Sequence, residues 1–393
     1  MSATALERDI AMVKNDHFFI KTKVYFDKGS MQMLRCLHGH CALVVSDSIM
    51  KELGYLQKAQ KYLQEAGIGS AAFTDIKPDP DVNIVAAGVE AYEACDADVL
   101  VALGGGSVID TAKAILYFVW QRRKAAGQHF EKPCFVAIPS TSGTGSEVTN
   151  FSVISANGTK NVLIDEFIAP DVAILDSICI QHVPSSVIAD TGMDVLVHAL
   201  EAYVSTDATD FTDALAEKTA ELIFHHLKKL YDDPANGDAR DRVQNASCMA
   251  GIAFTNSNLG ITHSLAHALG AEFHLPHGRA NALMMEAVIA YNADLAGTAN
   301  NYAAWKYQMM AAELNLPART PREGTVSLMQ AIAKLKRELG IPTGIHATGK
   351  VDPELFEKAV EGMAEDAMHD RCTPTNPIQP TKEDLIRLYR ESF

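Results

Sequence analysis

The stretch Val99-Leu100-Val101-Ala102-Leu103-Gly104-Gly105-Gly106-Ser107 decides how this chain is read. Its five apolar residues predict a short strand buried on both faces, and the glycines run straight into a helical pattern over 108–120. Glycines at such a junction let the backbone approach a ligand closely. The helix N-terminus then offers unpaired N–H groups and partial positive charge to a phosphate. This is not the GxGxxG fingerprint, whose ribose-binding acid follows the loop by ~20 residues. The best matching acid here, Asp47, precedes the loop, at the end of the apolar run 42–45. A second apolar run, 135–138, leads through Pro139 into Ser140-Thr141-Ser142-Gly143-Thr144-Gly145-Ser146-Glu147. Hydroxyls interleaved with glycines supply donors without bulk, which suits a pyrophosphate or a carboxamide; the bland alternative is a capped helix start. Two such strand-end loops in one domain favour a nucleotide over two coincidental turns.

Outward from these loops, short runs at 24–26, 42–45, 71–73, 99–103, 135–138 and 172–175 read as strands, with helical stretches at 48–66 and 83–94 between them. That alternation predicts an α/β domain with a mostly parallel sheet covered on both faces. From Ser185 onward helical periodicities take over, at 186–204, 211–230, 240–253, 263–273 and 327–339. The expected organisation is therefore an α/β dinucleotide-binding domain over 1–183 and an all-helical domain over 184–393. A length of 393 residues fits two cores better than one. The 34 Lys plus Arg against 49 Asp plus Glu leave a net charge of −15, which argues against a nucleic-acid or anionic-membrane partner. Seven scattered cysteines without a CxxC pair read as reduced thiols of a cytoplasmic protein. Glu7, Arg8 and Asp9 stand where a signal peptide would be apolar. The first sixteen residues read as a frayed terminus, or as a short helix with Leu6, Ile10 and Val13 on one face.

The helical half carries a second kind of chemistry. Asp194 and His198 stand four apart, so both face one way on a helix. Four histidines follow within fifteen positions, at 263, 267, 274 and 277. A lone histidine on an apolar face is usually a core residue, but an Asp–His pair with a histidine cluster predicts a divalent-metal site. Imidazoles with one carboxylate suit Fe2+ or Zn2+. Spacing leaves open which of the four later histidines are ligands.

Gly104–Ser107 with Asp110, the run 140–149, Asp194 with His198, and the block 263–277 together resemble the iron-dependent (group III) alcohol dehydrogenases. Asn245-Ala246-Ser247, Phe273-His274-Leu275-Pro276-His277-Gly278 and Cys372-Thr373 with Asn376-Pro377 resemble one branch in particular. It holds the alcohol-dehydrogenase half of aldehyde–alcohol dehydrogenases and the propanol and ethanol dehydrogenases of bacterial microcompartments. The resemblance implies NAD(H)-linked turnover of short-chain primary alcohols and aldehydes such as propanal or ethanal. It implies one divalent ion, Fe2+ with Zn2+ as the alternative, held by Asp194, His198, His263 and His277, with His267 nearby, unligated and a candidate proton relay. Asp47 would meet the adenosine ribose and Gly104, Gly105, Gly106 and Ser107 the pyrophosphate. Ser140, Thr141 and Thr144 would lie along the cofactor, with Val153 and Lys160 near the nicotinamide. Pro78-Asp79-Pro80 departs from the Pro-Asn-Pro of many relatives. A homodimer is implied, as is a cytoplasmic setting with a microcompartment interior as its finer form. A shell protein or an aldehyde-producing enzyme would then be the partner of the Leu6–Val13 stripe. The rival readings are a glycerol or diol dehydrogenase or a dehydroquinate synthase-like lyase of the same architecture, and, outside enzymes, a nucleotide-binding scaffold subunit.

Overall fold

A computed structural model describes residues 18–77, 80–156 and 159–393; the expected N-terminal stripe and the Pro78-Asp79 departure lie outside them. The strands are β1 (Lys23–Phe26), β2 (Cys41–Ser46), β3 (Gly69–Phe73), β4 (Val99–Gly104), β5 (Cys134–Pro139), β6 (Phe151–Ala156), β7 (Thr159–Ile164) and β8 (Val172–Leu175). Six of them form one parallel sheet in the order β1-β8-β5-β4-β2-β3. The helices of this half are α1 (Ser48–Glu52), α2 (Tyr55–Glu65), α3 (Val82–Cys95) and α4 (Gly106–Ala125).

Every residue of β4 is buried, and its side chains alternate between two cores as a strand must. Leu100 and Ala102 pack with Ile109, Ala112 and Ile115 of α4, whereas Val99, Val101 and Leu103 pack with Leu56, Ala59 and Leu63 of α2. The strand is apolar throughout because both faces are covered. Two features depart from the sequence expectation. The helix expected over 48–66 is broken at Gly54, whose φ of +81° ends α1 and opens α2. The antiparallel pair β6–β7 joins the parallel sheet's strand-end loops as a separate ribbon, between β5 and β8 in the chain.

From Ser185 the described residues form helices without strands: α5 (Ser185–Val204), α6 (Asp210–Asp232), α7 (Gly237–Ser257), α8 (Ile261–Phe273), α9 (His277–Asn292), α10 (Tyr302–Glu313), α11 (Pro321–Glu338), α12 (Pro353–Met368) and α13 (Lys382–Glu391). The expectation omits α9, α10, α12 and α13. The caps of three of these are written in the chain, as Asn301, Asp352 before Pro353, and Thr381. Helix α5 is buried from Met193 to Val204, with α6, α7 and α9 packed around it. It is apolar on all sides for that reason, and its few polar side chains require partners. No helix among the described residues is long and apolar enough to cross a membrane.

The two halves meet where backbones nearly touch. Gly145, at φ +61°, faces Gly251 of α7 so closely that a Cβ on Gly145 would lie 2.6 Å from the Gly251 Cα. Gly145→Ala therefore strains a left-handed residue and forces the hydroxyl-rich loop off α7. We expect a loss of about 1–3 kcal/mol, read as a lower midpoint in urea unfolding with an unchanged slope.

Candidate active site and metal centre

Helix α5 presents Asp194 and His198 one turn apart, α8 presents His263 from its first turn, and α9 begins at His277. One donor atom from each lies within 4.8 Å of all the others. The Asp194 Oδ1 stands 3.9 Å from His263 Nε2 and 3.6 Å from His277 Nε2. The close seating of α9 on α5 puts His277 there. A Cβ on Gly278 would fall 2.2 Å from the carbonyl oxygen of Asp190, so the residue after His277 has no room for a side chain.

The donor set fits a divalent ion on its own chemistry. His263 Nδ1 donates to Glu201 Oε2 at 2.6 Å, so its Nε2 carries the lone pair; that atom is buried and has no hydrogen-bond partner. Glu201 is held in turn by the Thr262 N–H at 2.6 Å. Burial pushes the His198 imidazole down to about 3, leaving it neutral at pH 7, as a ligand must be. For Asp194, burial opposes the charge, but the histidines around it, His277 foremost, and the Asn281 amide outweigh it and hold the carboxyl below its ordinary range. Asn281 donates to Asp194 Oδ1 at 2.6 Å and orients it.

His267 lies one turn beyond His263, with its ring 5.3 Å from that of His277. Its Nδ1 donates to Asp370 Oδ2 at 2.8 Å. Asp370, absent from the sequence reading, also accepts from the Cys372 N–H at 2.8 Å. Burial opposes its charge, yet the His267 and Cys372 contacts hold it well below the usual carboxylate range. His274 ends α8 in the left-handed region, exposed and outside the cluster.

The cluster lines a cleft of ≈ 260 Å³ together with Gly106, Ser107, Thr144 and Val153. Gly106 and Ser107 also line an adjoining cavity of ≈ 430 Å³ with Gly105, Ser140, Thr141 and Asp47. The expected cofactor residues are thus gathered along one groove, with two exceptions. Gly104 lines neither cavity; its carbonyl accepts the Ser140 N–H at 3.0 Å, and a Cβ there would meet Val108 at 2.5 Å, so it shapes the turn. Lys160 pairs with Ser155 in the ribbon, and its side chain lies outside the described part. Asp47 caps α1, one carboxylate oxygen accepting the Met50 N–H at 2.8 Å.

A buried ionic network ties these walls together. Lys113, with no exposed surface, donates to Ser146 Oγ at 3.1 Å, Thr149 Oγ1 at 2.8 Å and the Phe151 carbonyl at 2.8 Å. Asp110 accepts from Ser146 Oγ at 2.6 Å and from the Val153 N–H at 3.0 Å. Burial brings the Lys113 ammonium down to about 8 and the neighbouring Glu147 carboxyl up to about 7. Helix α4 is in this way pinned to the hydroxyl loop and to β6. Lys113 escaped the sequence reading, although a lysine three residues after Asp110 inside an apolar run is a signal for such a pair.

Residues 21–177 match the iron-containing alcohol dehydrogenase description, and residues 188–393 match the C-terminal part of the Fe-containing alcohol dehydrogenase family. The chain is 39% identical over 403 aligned positions to an aldehyde-alcohol dehydrogenase of Streptococcus pneumoniae, covering 95% of this chain but only 45% of that one. It is 38% identical to an NADPH-dependent butanol dehydrogenase of Clostridium saccharobutylicum, covering 95% and 96% of the two chains. It is also 38% identical to the 1-propanol dehydrogenase PduQ of Citrobacter freundii, covering 92% and 95%. Among solved structures, an iron-containing alcohol dehydrogenase of Thermococcus thioreducens superposes with a TM-score of 0.86 at 32% identity, covering 96% and 99%. A sulfoacetaldehyde reductase of Bifidobacterium kashiwanohense, in complex with NAD+, superposes with a TM-score of 0.83 at 26% identity, covering 96% and 98%. The glycine loop, the hydroxyl loop and the Asp–His cluster therefore stand in a shared framework, and the chain belongs to the iron-containing alcohol dehydrogenase family.

Proposed function

We propose that this chain interconverts short-chain primary alcohols and aldehydes, of the size of ethanal, propanal and butanal, with NAD(H) and one divalent ion. Fe2+ is the assigned metal and Zn2+ the alternative. The observation that carries this reading is the convergence of Asp194, His198, His263 and His277 within 4.8 Å, in a cleft also lined by the glycine loop. These four residues would hold the ion. Residues 1–183 act as the cofactor domain and 184–393 as the metal domain. When bound, the ion supplies positive charge to a substrate oxygen and the nicotinamide carries the hydride. The protein's own part is placement. Ser107 and Thr144 line the cofactor's side of the cleft, and Phe151, Val153, Phe254 and Leu259 exclude water from it. Asp370 keeps the His267 proton on Nδ1, which leaves Nε2 as an acceptor. With 39% of its side chain exposed, His267 is placed to pass the alcohol proton to solvent.

The chain is proposed to work as a cytoplasmic homodimer. The likeness to a propanol dehydrogenase supports a microcompartment interior as the finer placement, with a shell protein or aldehyde-producing enzyme as partner.

His198→Ala removes one of four donors. Activity should fall by at least about two orders of magnitude, with loss of the ion measured by elemental analysis. His267→Ala should keep full metal stoichiometry and lose turnover. Retention of metal and rate in the His198 variant would dissolve the metal assignment.

Preference for NAD(H) rests on Asp47, which lines the cavity beside Gly105 and Thr141. Two like charges at ~4 Å and an effective dielectric near 20 repel by about 4 kcal/mol before salt screening. A 2′-phosphate would therefore be disfavoured by roughly two to three decades. The butanol dehydrogenase is named for NADPH, and Lys77 lines the same cavity here, so the outcome turns on the carboxylate. Asp47→Gly should raise kcat/KM for NADPH relative to NADH. A wild type favouring NADPH, or a ratio unmoved by the substitution, removes Asp47 from this role.

A further inference from the structure

The cleft beside the Asp–His cluster has one feature that the reaction above leaves unused. Its walls are largely apolar, with Phe151, Val153, Val162, Phe254 and Leu259, yet Arg371 also lines it. Among the described lining residues Arg371 is the only Lys or Arg. Among the described residues its guanidinium has no hydrogen bond or ion pair; its contact is with a ring, 4.9 Å over Phe151. The adjacent Asp370 is engaged with His267 and the Cys372 N–H. The rings then run inward: Phe151 to Phe254 at 5.7 Å between centroids, and Phe254 to His198 at 4.5 Å. Arg371 and the donor cluster thus line the same cleft, with the Phe151 and Phe254 rings between them.

Resting on the dehydrogenase reading, we propose that Arg371 is a specificity-determining residue that makes the cleft select aldehydes whose far end carries an oxyanion, a carboxylate first among them. A guanidinium offers paired donors that match a carboxylate. Arg371 is exposed, so the pairing competes with water and rests on the paired geometry of the guanidinium, while a plain alkyl end offers the charge no partner. The chemistry is that of the family. For 4-oxobutanoate, a hydride bearing two electrons moves from NADH to the carbonyl carbon. The C=O π pair passes to oxygen, which takes one proton from water. The products are 4-hydroxybutanoate and NAD+.

The test compares 4-oxobutanoate with butanal, equal in chain length, on the iron-loaded full chain. Wild type should show a kcat/KM ratio of about threefold or more in favour of the oxyanion, and Arg371→Gln should bring that ratio to one or below. Arg371→Lys should fall between them, since a point charge replaces the fork. Taking the ratio cancels any general loss caused by the substitution. A wild-type ratio at or below one, or a ratio unchanged in Arg371→Gln, overturns the assignment. So does a rise in KM for NADH with both aldehydes alike, which would give the guanidinium to the cofactor. Failure of wild type to reduce either aldehyde overturns the dehydrogenase reading instead. The arginine is then judged by thermal shift: 4-hydroxybutanoate, compared with butanol, should raise the Tm of wild type and not of Arg371→Gln.

Discussion

The carboxylate of Asp194 sits in the middle of a helix buried on all sides, and the arrangement around it follows from the cost of a charge in that place. A carboxylate removed from water is strongly disfavoured unless cations or donors surround it. This chain supplies donors from three helices, with His198 beneath it on α5, His263 on α8, and His277 and Asn281 on α9. Of the imidazoles, His198 is held neutral by burial. The site is thus a buried carboxylate ringed by imidazole nitrogens, a donor set suited to a cation. The close contact of Gly278 with the Asp190 carbonyl follows, because α9 must approach α5 for His277 to join the ring.

A metal centre of this kind does nothing without a cofactor placed against it, and the buried network at Lys113 joins the two. Lys113 and Asp110 stand on the helix that starts at the glycine loop, and their partners are on the hydroxyl loop and β6. The glycine loop, the hydroxyl loop and one wall of the cleft are therefore tied together by hydrogen bonds. Gly145 against Gly251 then seats the hydroxyl loop on α7. Buried ionic groups seldom add stability; here they fix the geometry between two loops that apolar contacts alone would leave free to slide. Arg371 enters the same cleft from the C-terminal side and differs from Lys113 in having no oxygen partner among the described residues.

Much of this was legible in the chain. The apolar run 99–103 ahead of three glycines, the hydroxyl run after Pro139, and the Asp194–His198 spacing each depend on local chemistry, and local chemistry is written in order. So were signals that were passed over: Asn157-Gly158 is a turn dipeptide in the chain between two runs of strand length, and Asn301, Asp352 and Thr381 are helix caps.

What the sequence determined by itself was the parallel α/β half, the helical half, the two loops and the pool of metal donors, because strand burial, helix periodicity and i, i+4 facing are properties of neighbouring residues. Tertiary structure decided which histidines meet. His263 and His277 join Asp194 because α9 packs on both α5 and α8, while His274, nearer in sequence to His277 than His263 is, ends its helix facing outward. It also decided the partners of Lys113, the hold of Asp370 on His267 across 103 positions, and the placing of Arg371 over Phe151. Each of these joins residues far apart in the chain, and distances of that kind are set by the packing of whole helices, which no local pattern records.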